Sequence, residues 1–256
     1  MHLVIHIFKF ALLILPCVLH AQSSVITIEA DISTDVNTIY YSGVINVNNV
    51  KKVLPLIESG KYSTLRINSR GGELMSAMDF GAAVFKNELD VVVTGLCNSS
   101  CANYIFPAGR KKRIEVGAFV MWHGDARQRN FLVDQAYLER KALENAESLT
   151  TFELKRLTYS LASVKKQDVF YKLINIDGQI ARLGQEIDTP VALWALSAEN
   201  MNVFNIRNVE APSDYGSKAY CQKWLPKHYA NPIATCLELS TEYLNSWRLN
   251  RLELTN

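Results

Sequence analysis

The chain has 256 residues, 48% of them hydrophobic, with 27 basic and 25 acidic side chains and a net charge of +2. A balance this near neutrality, whose longest basic block is Arg110-Lys111-Lys112-Arg113, argues against a nucleic-acid binder. No apolar run reaches the ~20 residues that a membrane-spanning helix needs, and the length suffices for one large core.

Lys9 is the one charged side chain ahead of an apolar run at 10–19, which ends in Leu19-His20-Ala21. That layout reads as an export signal cut after Ala21. Pro16 stands where a lipid-attachment motif around Cys17 would need a small residue. Setting 1–21 aside leaves Cys97, Cys101, Cys221 and Cys236, with His123 and His228. Four cysteines in an exported chain permit two disulfides in three connectivities. With so few histidines and oxidised cysteines, no metal site and no cofactor are expected.

Along the chain, 25–29 alternates apolar and polar residues, and 38–45 is a second β-rich run broken by Gly43. Residues 48–57 predict a helix with Val50, Val53, Leu54 and Ile57 on one face. Residues 65–68 predict a strand that stops at Ser69-Arg70-Gly71-Gly72, and 73–85 a helix. An apolar strand at 90–94 ends at Gly95, 101–106 is helical, and 119–122 is a further buried strand. Strands alternating with helices define an α/β class with a largely parallel sheet. Residues 131–174 lack Pro and Gly and predict two or three helices, forming either an arm for packing subunits or a cover for the chain's own sheet. A strand at 191–196 and a helix at 197–204 follow, then a tail with an amphipathic end at 237–252. The expected division is a signal at 1–21, a main domain at 22–210 with its helical arm at about 131–174, and a helical extension at 211–256.

Two strand-to-helix turns carry candidate chemistry. In Asn68-Ser69-Arg70-Gly71-Gly72 the adjacent glycines permit positive φ and close approach to their N–H groups, though a plain tight turn has the same signature. In Gly95-Leu96-Cys97-Asn98-Ser99-Ser100-Cys101 a serine at the junction is either a helix cap or a nucleophile facing N–H groups at the helix start. His123 ends the strand at 119–122. In an open α/β sheet the C-terminal ends of parallel strands share one edge, so Ser69, Ser99 and His123 would lie on one side, with His123 placed as a base for Ser99. Cys97 and Cys101 flank that serine, either bonded across the first helical turn or as two small buried thiols. Cys221 and Cys236 would staple a C-terminal hairpin of helices, unless both pairs cross-link the tail to the site.

These residues resemble the ClpP/crotonase superfamily over 39–124, in particular the Clp-type serine peptidases and their exported relatives. Leu65-Arg66-Ile67-Asn68-Ser69-Arg70-Gly71-Gly72 is similar to that family's Ile-Asn-Ser-Pro-Gly-Gly turn, with Arg70 replacing Pro. The stretch from Gly95 to Ala102 is similar to its nucleophile turn, Val120-Met121-Trp122-His123 to its histidine strand, and 24 residues separate Ser99 from His123. The resemblance implies a repeated β-β-α spiral with a helical insertion and a disulfide-containing helical tail. It implies Ser99 as nucleophile, His123 as base, and the N–H groups of Gly71 or Gly72 and of Ser100 as oxyanion donors. The third triad position falls on Leu193, which leaves Asp188 and Asp125 as the nearby carboxylates, neither matching the motif. Ser100 is a rival nucleophile, and a Ser-Lys dyad would need Lys111 or Lys112, which read as a solvated turn. The implied function is a periplasmic serine peptidase acting on peptides or proteins, homo-oligomeric through the helical arm. The alternative is a binding or scaffold protein with a degenerate site, and acyl-CoA chemistry does not suit an exported chain.

Overall fold

Residues 28–145, 148–230 and 233–253 are described by the structure, a computed structural model. The expected signal lies outside them, as does most of the strand expected at 25–29. The first strand is β1 (Asp31–Thr34), antiparallel to β2 (Thr38–Ser42). From β2 onward the sheet is parallel through β3 (Thr64–Ser69) and β4 (Asp90–Asn98).

The crossovers follow the apolar spacing. Helix α1 (Val47–Glu58) starts where the Asn46 side chain accepts the Asn49 N–H, and it buries Val50, Val53 and Ile57. Helix α2 (Leu74–Lys86) starts at Glu73, whose carboxylate accepts the N–H groups of Met75 and Ser76, and it buries Ala77, Met78, Phe80 and Val84. Each such fully buried large apolar side chain contributes about 1.5–3 kcal/mol.

Strand β4 differs from its sequence expectation. It does not end before Gly95 but runs on to Asn98, through a bulge where the register moves from Ile67↔Val93 to Ser69↔Cys97. Within the bulge the Asn68 side chain accepts the Leu96 N–H, in place of a backbone partner. A Cβ on Gly95 would lie 2.6 Å from Asn68 Oδ1, so glycine here makes room for that side chain. The bulge divides β4 between two neighbours. Val91–Val93 pair with β5 (Lys112–Ile114), whereas Leu96–Asn98 pair with β6 (Phe119–Met121). The strand leading to Ser99 and the strand leading to His123 are thereby adjacent. Strand β8 (Val209–Glu210) closes the seven-stranded sheet on β5.

The region rich in helix formers gives α3 (Arg129–Glu144) and α4 (Thr151–Ile174), the second opened by a capping box of Thr150 and Glu153. Lys141–Glu153 and Arg156–Asp134 ion pairs join the two helices. The C-terminal half of α4 covers the main core, with Phe170 set edge-on against Tyr104. Its first turns and α3 leave Val133, Tyr137, Leu143, Phe152 and Leu154 exposed.

After a 3-10 turn (Gly178–Ala181) and the short α5 (Leu183–Glu186) come β7 (Leu193–Ala195) and α6 (Ala198–Val203). The tail holds α7 (Lys218–Trp224), β9 (Ala234–Cys236) and α8 (Thr241–Glu253). The tail is therefore not wholly helical, and Cys221–Cys236 does not join a hairpin of helices. It ties α7 to β9, which pairs in parallel with β7 in a separate two-stranded sheet. Closing a loop of 15 residues stabilises by about 3 kcal/mol on a chain-entropy account. Cys97 bonds Cys101, so neither pair cross-links the tail to the turn. Among the described residues, no helix is long and apolar enough to cross a membrane.

Candidate active site

Ser99 sits between β4 and a π-helical turn (Cys101–Ile105) with φ +57°, a left-handed conformation that a side-chain-bearing residue rarely adopts. Such a backbone costs about 1–3 kcal/mol and persists where its surroundings over-determine it. Here the Cys97–Cys101 disulfide spans it, its N–H donates to Met121 O (3.0 Å), and its carbonyl accepts from the Asn103 N–H (2.9 Å). The geometry brings Ser99 Oγ to 2.7 Å from His123 Nε2.

His123 stands two residues past the end of β6, directly after Trp122. Its carbonyl accepts from the Gln185 side-chain amide at 2.5 Å, and the Asn103 amide holds the next carbonyl, Gly124 O, at 2.8 Å. The imidazole is partly open to solvent, yet the groups packed around it remove enough water to pull its pKa below the ordinary 6.5. That favours the neutral imidazole, the form able to accept a proton.

The glycine turn packs directly on Ser99. Gly71 has φ +89°, and a Cβ there would stand 2.6 Å from Asn98 O and 2.8 Å from the Ser99 Cβ. Gly72 has φ +154°, and its Cβ would meet Ile45 O at 2.0 Å. Gly72→Ala is expected to lower stability by at least ~2 kcal/mol, read as a reduced urea midpoint at unchanged slope. A midpoint equal to wild type would show that the turn can yield.

Neither glycine N–H is free in this structure. That of Gly71 donates to Ser69 Oγ (3.1 Å), and that of Gly72 to Ser100 Oγ (2.8 Å), whose hydroxyl donates back to Gly72 O (3.1 Å). Ser100 is wholly buried and occupied by these bonds, so His123 faces Ser99 and not Ser100. The Ser100 N–H opens the helical turn, among the first donors that lack an intrahelical acceptor.

No carboxylate among the described residues bonds His123. Asp125, two residues on, points away into the core, where it accepts from Arg182 Nη1 (2.9 Å), Gln167 Nε2 (3.1 Å) and the Arg127 N–H (2.9 Å). Burial raises its pKa above the ordinary 3.8, against the opposing Arg182 charge. Asp188 is exposed after α5, and Leu193 opens β7. The lysines are also elsewhere. Lys112 is not on a solvated turn: its ammonium is buried on Gly109 O and Arg207 O at the opposite end of the sheet, with burial lowering its pKa to about 8. Among the described residues, no group of three or more His, Cys, Asp or Glu is placed to hold a metal ion.

Sequence reasoning missed the clamps. Asn103 and Gln185, which fix the backbone after β6, carry no motif. Nor does Tyr229, whose hydroxyl accepts from Asn98 Nδ2 at 2.6 Å across 131 residues of chain.

The fold and site thus define an α/β protein with a Ser–His pair whose serine lies on a strained strand-to-helix turn. No family model matches the chain, and no curated protein matches it. Among solved structures it is similar to a mutant of ClpP1 from Listeria monocytogenes, with 18% sequence identity and a TM-score of 0.44, over 70% of this chain and 94% of that one.

Proposed function

We propose that this protein is a serine hydrolase acting on peptide bonds, on a ClpP/crotonase-type spiral fold, with Ser99 as nucleophile and His123 as general base. The observation that carries this is the 2.7 Å approach of Ser99 Oγ to His123 Nε2, with the serine held at positive φ. As Oγ attacks the acyl carbon, His123 Nε2 takes the hydroxyl proton, the carbonyl electron pair moves to oxygen, and the proton passes to the leaving amine as the C–N bond breaks. Water then repeats the sequence on the acyl-enzyme. The Ser100 N–H is the natural first oxyanion donor, and Gly71 or Gly72 becomes the second once its side-chain acceptor turns away.

A cavity of about 590 Å³ bounded by Gly72, Leu74, Phe131 and Phe152 offers room for a peptide side chain beside the turn. Two disulfides suit an oxidising compartment, and we place the protein in the periplasm. The exposed apolar residues of α3 and α4 support a homo-oligomer packed through that arm. A second reading, a binding protein with a degenerate site, is favoured by the absence of a carboxylate at His123 among the described residues and by the engaged Gly72 N–H.

A fluorophosphonate probe separates the two. The hydrolase reading requires covalent labelling of wild type that vanishes in Ser99→Ala, and labelling indifferent to Ser99 would sink it. The labelling rate should also report the imidazole. Its neutral form is the working base, so the rate should be flat at high pH and fall as pH drops through a midpoint below 6.5. A midpoint above that value would contradict the assignment of His123 as a desolvated base.

A further inference from the structure

The two turns that meet at Ser99 are both held by one dipeptide of the tail. Asn98, directly before Ser99, is buried and donates its amide to Tyr229 OH at 2.6 Å. Arg70, directly before Gly71, lays its guanidinium over the Tyr229 ring, 4.9 Å from the centroid, and donates to His228 O at 3.2 Å. The dipeptide is itself anchored. The backbone N–H groups of His228 and Tyr229 both donate to Leu225 O, and His228 Nε2 lies 2.7 Å from Gly117 O.

From there the connection continues to the other half of the pair. Leu225 follows α7, Cys221 of α7 is bonded to Cys236 of β9, and β9 pairs with β7. Trp194 of β7 exchanges two backbone hydrogen bonds with Trp122 (2.9 and 3.0 Å), the residue before His123. A closed mechanical circuit thus runs from Ser99 through Tyr229 and the disulfide to His123.

Resting on the hydrolase reading above, we propose that Tyr229 is a positioning residue for Ser99. The disulfide-anchored segment that carries it sets the distance between nucleophile and base. The physical ground is the strain at Ser99. A left-handed serine keeps its geometry only while its neighbours are fixed, and among the described residues Asn98 has no other side-chain partner, since its Oδ1 is buried without one. Removing the Tyr229 hydroxyl leaves the buried amide without its acceptor, and the residue it abuts is the nucleophile. Displacement of a reacting atom by about 1 Å slows a positioned reaction by about 100-fold.

The test uses the full chain and Tyr229→Phe, which keeps the ring under Arg70 and deletes only the hydroxyl. Two quantities are read: the rate of Ser99-dependent fluorophosphonate labelling, and the NMR resonance of the His123 Cε1–Hε1 group, assigned by its loss in His123→Gln. The expected result is labelling slowed by about 10- to 100-fold and a His123 resonance moved toward its position in Ser99→Ala, with the unfolding midpoint lowered only as far as one unpaired buried amide requires. A His123 resonance that stays at its wild-type position overturns the proposal, even if labelling slows, because a merely structural role would lower stability without moving that signal. If wild type is not labelled but the resonance moves as expected, the hydrolase reading fails and the positioning role stands. Should Tyr229→Phe not fold, Cys221→Ser/Cys236→Ser releases the same anchor. It is expected to move the resonance in the same direction, and an unmoved resonance there overturns the proposal too.

Discussion

Ser99→Ala and His123→Ala are each expected to reduce hydrolysis of a reactive peptide ester by about 10²-fold or more, and the double variant by no more than either alone. On the proposed mechanism the reason lies in the 2.7 Å contact: the serine is a poor nucleophile until the imidazole accepts its proton, so the two would act as a unit. Rates for the four proteins complete the cycle. Additive losses would mean that serine and histidine act independently, and the proposed mechanism would fall. The starting rate should itself be modest. Without a carboxylate to orient the imidazole and stabilise its charged form, a dyad can lose up to about 10⁴ relative to a triad. On that mechanism Gln185 and Asn103 would compensate in part by holding the carbonyls of His123 and Gly124, which restrains the ring's position though not its tautomer.

Arg182→Ala is expected to be the most destabilising single change considered, by about 3–5 kcal/mol in urea unfolding, since it strands a buried carboxylate. The Asp125 side chain has no solvent exposure, and Arg182 is the one cation that bonds it among the described residues. Adding Asp125→Asn should recover most of the loss, because the amide still accepts from the Arg127 N–H and carries no charge. Failure to recover would place the cost in the lost Arg182–Glu186 bridge instead. The change should slow labelling as well, since Arg182 and Gln185 occupy one turn and Gln185 holds the His123 carbonyl.

Asp125 also shows where reading from spacing fails. Its place two residues after His123 makes it a candidate third member, but in an extended segment alternate side chains and a following turn decide direction, and here the turn sends the carboxylate inward to Arg182, 57 residues later. Gly95 is a second case. A glycine after an apolar run reads as a strand end, because periodicity registers only the residue's own lack of a side chain. The strand continues since Asn68, from a neighbouring strand, supplies the missing hydrogen-bond partner. The tail strand β9 is three residues long, below what any alternation can register, and exists because β7 is there to pair with it.

What the amino-acid sequence determined by itself was local. The helix faces of α1 and α2, the two glycine- and serine-bearing turns, the Cys97–Cys101 interval and the 24 residues from Ser99 to His123 are all properties of short windows, where chain geometry leaves few options. Tertiary structure decided which strand ends became neighbours, which N–H groups of the turn were occupied, where Asp125 pointed, and that a tail tyrosine reached Asn98. Those outcomes depend on pairings across tens to more than a hundred residues. They are selected by burial and by the need to satisfy every polar group that packing encloses, conditions met only once the whole chain has folded.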